Sequence, residues 1–328
     1  MLVNIFRISY SALLLILLFV FCPRRLPENV GKARDVVVVA SELDTALINA
    51  NLQIYHYVPQ REPYFIFVFA PDTILKDVNQ FHSLFLYGSL KEQFIYNLLN
   101  EEARAATRKD TFNLFKVNNL WAKNQTVIIL AVSETEYIKQ GIIKYQKMIK
   151  KILEESYYQK VKSSFYGKEM DKNIKTHLKK FGWYMDVPVG WMIDSTFKSE
   201  NFIYVHTHYP DRSIFLYKEK NSLPLTDSFA IEKRNTLTKR FYNGDYILKE
   251  LTTIEPIEFQ DMKGLRIRGV WQNDSLVAGG PFLSYFLTKN DSLYIIDGML
   301  FLPGERKTDY IMELEVMMNS IKRVDYAE

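Results

Sequence analysis

The segments 265–272 (LRIRGVWQ), 281–288 (PFLSYFLT) and 293–302 (LYIIDGMLFL) follow one another with short breaks between them. Each is eight to ten residues long and rich in aromatic and β-branched side chains, the length and composition of a strand on a half-buried sheet. Strands joined by connections this short pair antiparallel, because a parallel neighbour needs a crossover of a dozen residues or more. Upstream, 201–207 (NFIYVHT) and 213–218 (SIFLYK) repeat the pattern. A helix over about 228–241 interrupts the strands, and another over about 308–321 closes the run. Strands grouped around two helices predict an α+β layer, a mainly antiparallel sheet packed by helices, rather than a doubly wound parallel sheet.

The chain before residue 168 reads differently. Residues 35–40 (DVVVVA) form a short β-branched run typical of a buried strand. Ser41 is a plausible N-cap with Asp44 three residues on, so a helix is expected over 42–52. Residues 64–70 (YFIFVFA) make another apolar strand stopped by Pro71, and 83–87 a third. A helix is expected over 91–104 with Phe94, Leu98 and Ala105 on one side, then a hairpin of 111–118 and 126–132 turning near Asn119. Ser133 and Glu136 have capping-box spacing. Behind them Ile138, Ile142, Tyr145, Ile149 and Ile152 draw one apolar helical stripe. Lys139, Lys144, Lys147, Lys150 and Lys151 surround it as a solvated face. A second helix over 168–181 ends at Gly182. The expected organisation is two α/β sandwich-type domains, an N-terminal one over 35–167 and a C-terminal α+β one over 168–328, behind a tether over 23–34.

At 328 residues the chain has room for two domains. Its apolar content of 48% supports a core, and 14% aromatics suit β-rich layers. A net charge of +4 is too mild for a nucleic-acid binder. One Cys excludes an internal disulfide framework and a multi-thiolate metal site. That residue, Cys22, ends an uncharged apolar run over 8–21 behind Arg7. The run has the length of a signal-peptide core and falls short of the ~20 residues needed to span a bilayer. A thiol at that place is where lipoproteins are acylated, each buried methylene adding about 0.8 kcal/mol of membrane affinity. Phe21, where a small residue would precede a lipidated Cys, leaves an uncleaved signal-anchor and a buried hydrophobic helix open as alternatives. The first two readings place everything after residue 25 outside the cytoplasm, at the cell envelope facing the periplasm.

Residues 268–271 (RGVW), 278–282 (AGGPF), 296–298 (IDG) and 307–320 (KTDYIMELEVMMNS) resemble the DUF4837 family, uncharacterised Bacteroidetes proteins regarded as lipoproteins. The early valine strand, 181–182 (FG), 187–188 (VP) and Gly190 extend the likeness. The resemblance implies no activity and carries across no catalytic residue, though it favours lipidation at Cys22. From Gly182 onward the order of elements is similar to Mog1/PsbP-like domains, a likeness of fold that implies no function.

The candidate chemistry is sparse. His206 and His208 share one face of an expected strand, with Asp211 near, a weak pair of metal ligands and short of a site. Gly279-Gly280-Pro281 lacks the residues of a phosphate loop and reads as a turn or bulge, and Asp297-Gly298 as a kink within a strand. No cofactor is expected. The leading expectation is a membrane-anchored envelope protein without catalysis that binds an envelope protein or a small hydrophobic or glycan ligand. Trp271, Gly279, Gly280, Pro281 and Phe282 would supply its exposed aromatic surface. The alternative is an envelope hydrolase using His206, His208 and Asp211 or Asp297.

Overall fold

The structure, a computed structural model, describes residues 26–57, 59–221 and 223–323. The leader and Cys22 lie outside the described residues, and so does the question of its anchoring. Of the described helices, none is long and apolar enough to cross a membrane.

The first half runs β1 (Asp35–Ala40), α1 (Thr45–Leu52), β2 (Tyr55–Tyr57), β3 (Arg61–Pro63), β4 (Ile66–Pro71) and α2 (Leu75–Val78). It continues with β5 (Ser83–Ser89), α3 (Gln93–Leu98), α4 (Glu101–Asp110), β6 (Phe112–Asn118), β7 (Thr126–Val132) and α5 (Ile138–Tyr166). Five strands pair in the order β4-β1-β5-β7-β6, parallel except for β6, which forms the expected hairpin with β7. The valine run lies at the centre because both its faces are covered. Val37 and Val39 pack with Ile95 and Leu99, while Val36 and Val38 face α1 and α5. Each fully buried valine side chain stabilises by about 1.5–3 kcal/mol.

The second half runs α6 (Lys172–Lys179), β8 (Trp183–Tyr184), β9 (Met192–Asp194), β10 (Phe202–Thr207), β11 (Asp211–Lys220) and α7 (Asp227–Phe241). After these come β12 (Tyr246–Phe259), β13 (Met262–Asn273), β14 (Ala278–Lys289), β15 (Ser292–Phe301), α8 (Thr308–Asn319) and β16 (Lys322–Arg323). Seven strands pair antiparallel in the order β12-β13-β14-β15-β11-β10-β9. This is the mixed α+β class expected, with α7 on one face and α8 on the other.

The two sheets share apolar packing. One continuous core runs from Val36, Val38, Phe85 and Leu130 through Ile142, Ile149 and Leu153 of α5 to Leu314, Met317 and Met318 of α8. From there it reaches Leu283, Tyr285 and Ile296 of the second sheet. A polar clasp reinforces it. The buried Glu62 carboxylate accepts hydrogen bonds from the backbone N–H of Lys307 (2.9 and 3.0 Å) and of Thr308 (3.1 Å), and from the Thr308 hydroxyl (2.7 Å). A carboxylate on the unsatisfied N–H groups at a helix start is a favourable cap.

Several local expectations are corrected. Asp44, not Ser41, caps α1, accepting from the Leu47 N–H at 2.8 Å. The helix expected over 91–104 is two helices, because Asn100 restarts the chain by accepting from Ala103 N–H at 2.9 Å, and Ala105 is exposed. Ser133 and Glu136 form no capping box: a 3-10 turn, Thr135–Tyr137, leads into α5 without a side-chain cap. Helix α6 starts at Lys172 behind the Asp171 cap and ends at Lys179. Strand β12 was not expected. It is an edge strand carrying Pro256, with a register break between Leu248 and Thr253 that destroys its alternation.

Gly279-Gly280-Pro281 is no turn. All three lie inside β14, in continuous register with β13. A Cβ on Gly280 would lie 2.0 Å from the Leu300 carbonyl oxygen and 3.2 Å from the Trp271 indole nitrogen, so the position needs glycine for close approach. Asp297-Gly298 is likewise no kink, since β15 keeps register with both neighbours through it. Gly298 makes room for α8, as a Cβ there would come 2.9 Å from Met318 Sδ.

Candidate functional site

At the end of the second sheet where β10 turns into β11, a cavity of about 370 Å³ opens on the face covered by α7. Its position follows from alternation. Phe202, Tyr204 and His206 point to this face of β10, while Ile203 and Val205 point to the other and join the shared core. The walls are aromatic: Phe202 stacks on Phe241 at 4.0 Å, and Tyr242 meets Tyr204 edge-on at 5.2 Å. Trp271 closes one side, with its indole N–H donated to the Leu300 carbonyl at 3.3 Å. The mouth carries Phe197, His208, Asp211 and Leu276.

Polar side chains share the lining, at the mouth and at the back. His206 stacks against Tyr204 at 4.7 Å and meets His208 edge-on at 5.4 Å. Burial, then the neighbouring His208, lowers the His206 pKa, with Asp194 and Asp211 opposing. His208 Nδ1 lies 2.8 Å from Asp211 Oδ1, at a place where both side chains are more than half exposed. Hydrogen bonds from Thr196 hold Asp194 below the usual carboxylate range. At the back, burial raises the Asp245 carboxyl, a shift the Asn273 side chain opposes by donating a 2.7 Å hydrogen bond. Burial also pushes the Tyr204 and Tyr242 phenols up, Tyr242 well up, so both stay protonated donors.

The structure thus brings His206, His208 and Asp211 together and leaves Asp297 out. Asp297 is fully buried under α7, clasped by Arg234 Nε at 2.7 Å and Nη2 at 3.2 Å, with the Ser284 hydroxyl also donating to it. It is a structural anion rather than an available acid. Neither imidazole in the cavity is hydrogen-bonded to a hydroxyl or thiol nucleophile among the described residues. Nor, among them, does any group of three His, Cys, Asp or Glu side chains have metal-holding geometry.

The surface expected around Trp271 and Phe282 is also corrected. Trp271 is 5% and Phe282 1% exposed, and Gly280 and Pro281 are buried beside them. Within that stretch the exposed apolar residues are Leu276 and Val277, at 62% and 90%, in the β13–β14 turn. Tyr209, fully in solvent, stands next to His208 in the β10–β11 turn. Sequence reasoning missed Asp194, Tyr204, Tyr242 and Asp245. Tyr204 alone had a local signal, being two residues before His206 on the same strand face.

An antiparallel α+β sheet domain with a ligand-sized aromatic recess at one end is the class these features define. Residues 169–320, which contain the recess, match the family model "Domain of unknown function (DUF4837)". The five-stranded sheet precedes the matched span. The solution structure of cyanobacterial PsbP (CyanoP) from Synechocystis sp. PCC 6803 is similar at a TM-score of 0.31 and 11% identity, over 44% of this chain and 88% of that one. A crystal structure from Bacteroides thetaiotaomicron VPI-5482 is similar at a TM-score of 0.27 and 9% identity, over 45% of this chain and 47% of that one. Overlaps of this size carry no functional argument. A comparison with the curated proteins found no match.

Proposed function

We propose that the chain is a non-enzymatic binding protein of the cell envelope, held at a membrane by its leader, whose recess at the β10–β11 end takes a small ring-bearing ligand such as a glycan unit. The observation that carries this reading is the wall of the cavity. Phe202, Tyr204, His206, Tyr242 and Trp271 present ring faces and edges around about 370 Å³, and polar side chains such as Asp194, Asp211 and Asp245 stand between them. Binding sites are typically apolar and aromatic with a small number of placed polar groups. The protonated Tyr204 and the exposed carboxylate of Asp194 supply a donor and an acceptor of the kind sugar hydroxyls need. Tyr209, Leu276 and Val277 at the rim add apolar area for the rest of a larger ligand. The leader's apolar run and Cys22 support the membrane address.

The test is a thermal-shift screen of the full chain in uncharged detergent against mono- and disaccharides and small aromatic acids. A ligand at 100 times its Kd adds about 2.7 kcal/mol of apparent stability. The expected result is a saturable rise in Tm that Tyr204→Ala and His206→Ala each remove without lowering the ligand-free Tm by more than a few degrees. A panel that leaves the wild-type Tm unmoved, or a shift that both variants retain, overturns the assignment.

A further inference from the structure

A second cleft, of about 400 Å³, lies on the opposite face of the seven-stranded sheet, beside β8 and β16. It is separate from the aromatic recess because β10 contributes Ile203 here and Phe202, Tyr204 and His206 there. Its lining contains Lys180, Lys198, Lys218 and Arg323 and no carboxylate. The four cations come from four segments of chain: the end of α6, the β9–β10 connection, β11 and β16. Lys180, Lys198 and Lys218 form no ion pair among the described residues. Arg323 does, reaching Asp261 at 3.5 Å, an acid that Lys289 also contacts.

Two further observations point inward. Lys218 Nζ and Arg323 Cζ stand 5.3 and 5.2 Å from the centre of the same Tyr294 ring, which Trp183 meets edge-on at 5.9 Å. Arg323 donates to the Tyr294 hydroxyl at 3.2 Å, yet its Nε, a buried donor, has no hydrogen-bond partner among the described residues. A buried donor left without a partner costs on the order of 1–3 kcal/mol. The Tyr294 phenol is held below its ordinary value: burial alone would raise it, and the Arg323 hydrogen bond with the Lys218 and Arg323 charges outweighs burial. Among the described residues the cleft is therefore lined by cations, of which Arg323 alone has an acidic partner, the Asp261 carboxylate that Lys289 shares.

We propose that this cleft, where Lys180, Lys198, Lys218 and Arg323 converge beside the Tyr294 and Trp183 rings, is a binding site for a phosphate group. A single carboxylate would be satisfied by one guanidinium. Four cations arriving from different segments of chain suit a polyvalent tetrahedral anion. The same phosphate chemistry is offered by a free phosphate ester or by the headgroup of an anionic lipid.

Calorimetric titration of inorganic phosphate into the full chain in uncharged detergent is the direct test. Saturable binding is expected, weakened at least tenfold in Lys218→Gln/Arg323→Gln and weakened by rising salt. Lys180→Gln/Lys198→Gln touches only exposed side chains, so its fold is unaffected and it must also weaken binding several-fold. A second arm repeats the titration with the chain in phosphatidylcholine bilayers, with and without phosphatidylglycerol. If phosphatidylglycerol abolishes the phosphate response, the natural source is a lipid headgroup; if the response survives, it is a free phosphate ester. No saturable phosphate binding, or binding that both double variants retain, overturns the proposal whatever happens at the aromatic recess.

Discussion

Replacing Asp297 by Asn removes one charge from a pair in which neither side chain has any exposure to solvent. Arg234 would then be a buried guanidinium over the Phe282 ring, 3.9 Å from its centre, with no direct ion pair among the described residues and only the more distant Asp245 carboxyl acting on it. One of its nitrogens, Nη1, is already without a hydrogen-bond partner among the described residues. Breaking a buried pair from one side costs about 3–5 kcal/mol, because the stranded charge keeps its full desolvation penalty. Against a total of about 5–15 kcal/mol for a folded domain, that is about a fifth or more of the stability. Urea unfolding of Asp297→Asn, followed by tryptophan fluorescence, should show the midpoint falling with little change in slope. Arg234→Met alone should cost a similar amount by stranding the carboxylate. The double variant should lose at least about 2 kcal/mol less than the two single losses added, since contacting residues are strongly non-additive. A loss under about 1 kcal/mol for Asp297→Asn, or simple additivity in the cycle, would refute the view that the pair matters as a pair.

Two other outcomes are expected. Glu62→Ala should lower the free energy of unfolding in urea by about 1–2 kcal/mol, because the start of α8 loses its cap; a variant as stable as wild type would show that water replaces the carboxylate at no cost. His82, 1% exposed with Nε2 3.0 Å from the Lys32 carbonyl oxygen, is pushed by burial from 6.5 to about 4. The unfolded chain therefore takes up its proton first, so stability present above 6.5 is lost as pH falls toward 4, by about 3 kcal/mol at most. His82→Gln should flatten that part of the wild-type stability profile, and an unchanged slope would count against it.

The strands that could be read from sequence are those with an unbroken apolar or alternating run, whether central, as β1 and β13 to β15, or at an edge, as β4 and β6. Residues 202–207, 281–288 and 293–301 alternate or run apolar because each is covered in a regular way, and so does the valine strand at 35–40. β12 escaped because it carries Pro256 and bulges at 249–252, which erases the period. Helix starts were misplaced by a few residues where two capping residues competed, as Ser41 did with Asp44. The recess was half visible. His206 and His208 gave a local signal, but Asp194, Tyr242 and Asp245 reach it from separate elements through long-range pairing. Asp297 was misjudged for the same reason, since its partner Arg234 lies 63 residues earlier on a different element.

The clasp of Glu62 on α8 has a consequence for the order in which the chain is made. The first sheet and α5 leave the ribosome long before residues 308–319 exist, so the helix stripe of Ile149, Leu153 and Tyr157 waits without its final cover. Only when the last helix arrives do the stripe and the Glu62 carboxylate find their partners together. A product released before residue 308 would carry a sticky, acid-tipped groove, so the emergence of residues 308–319 is the step that lets the two sheets close on each other.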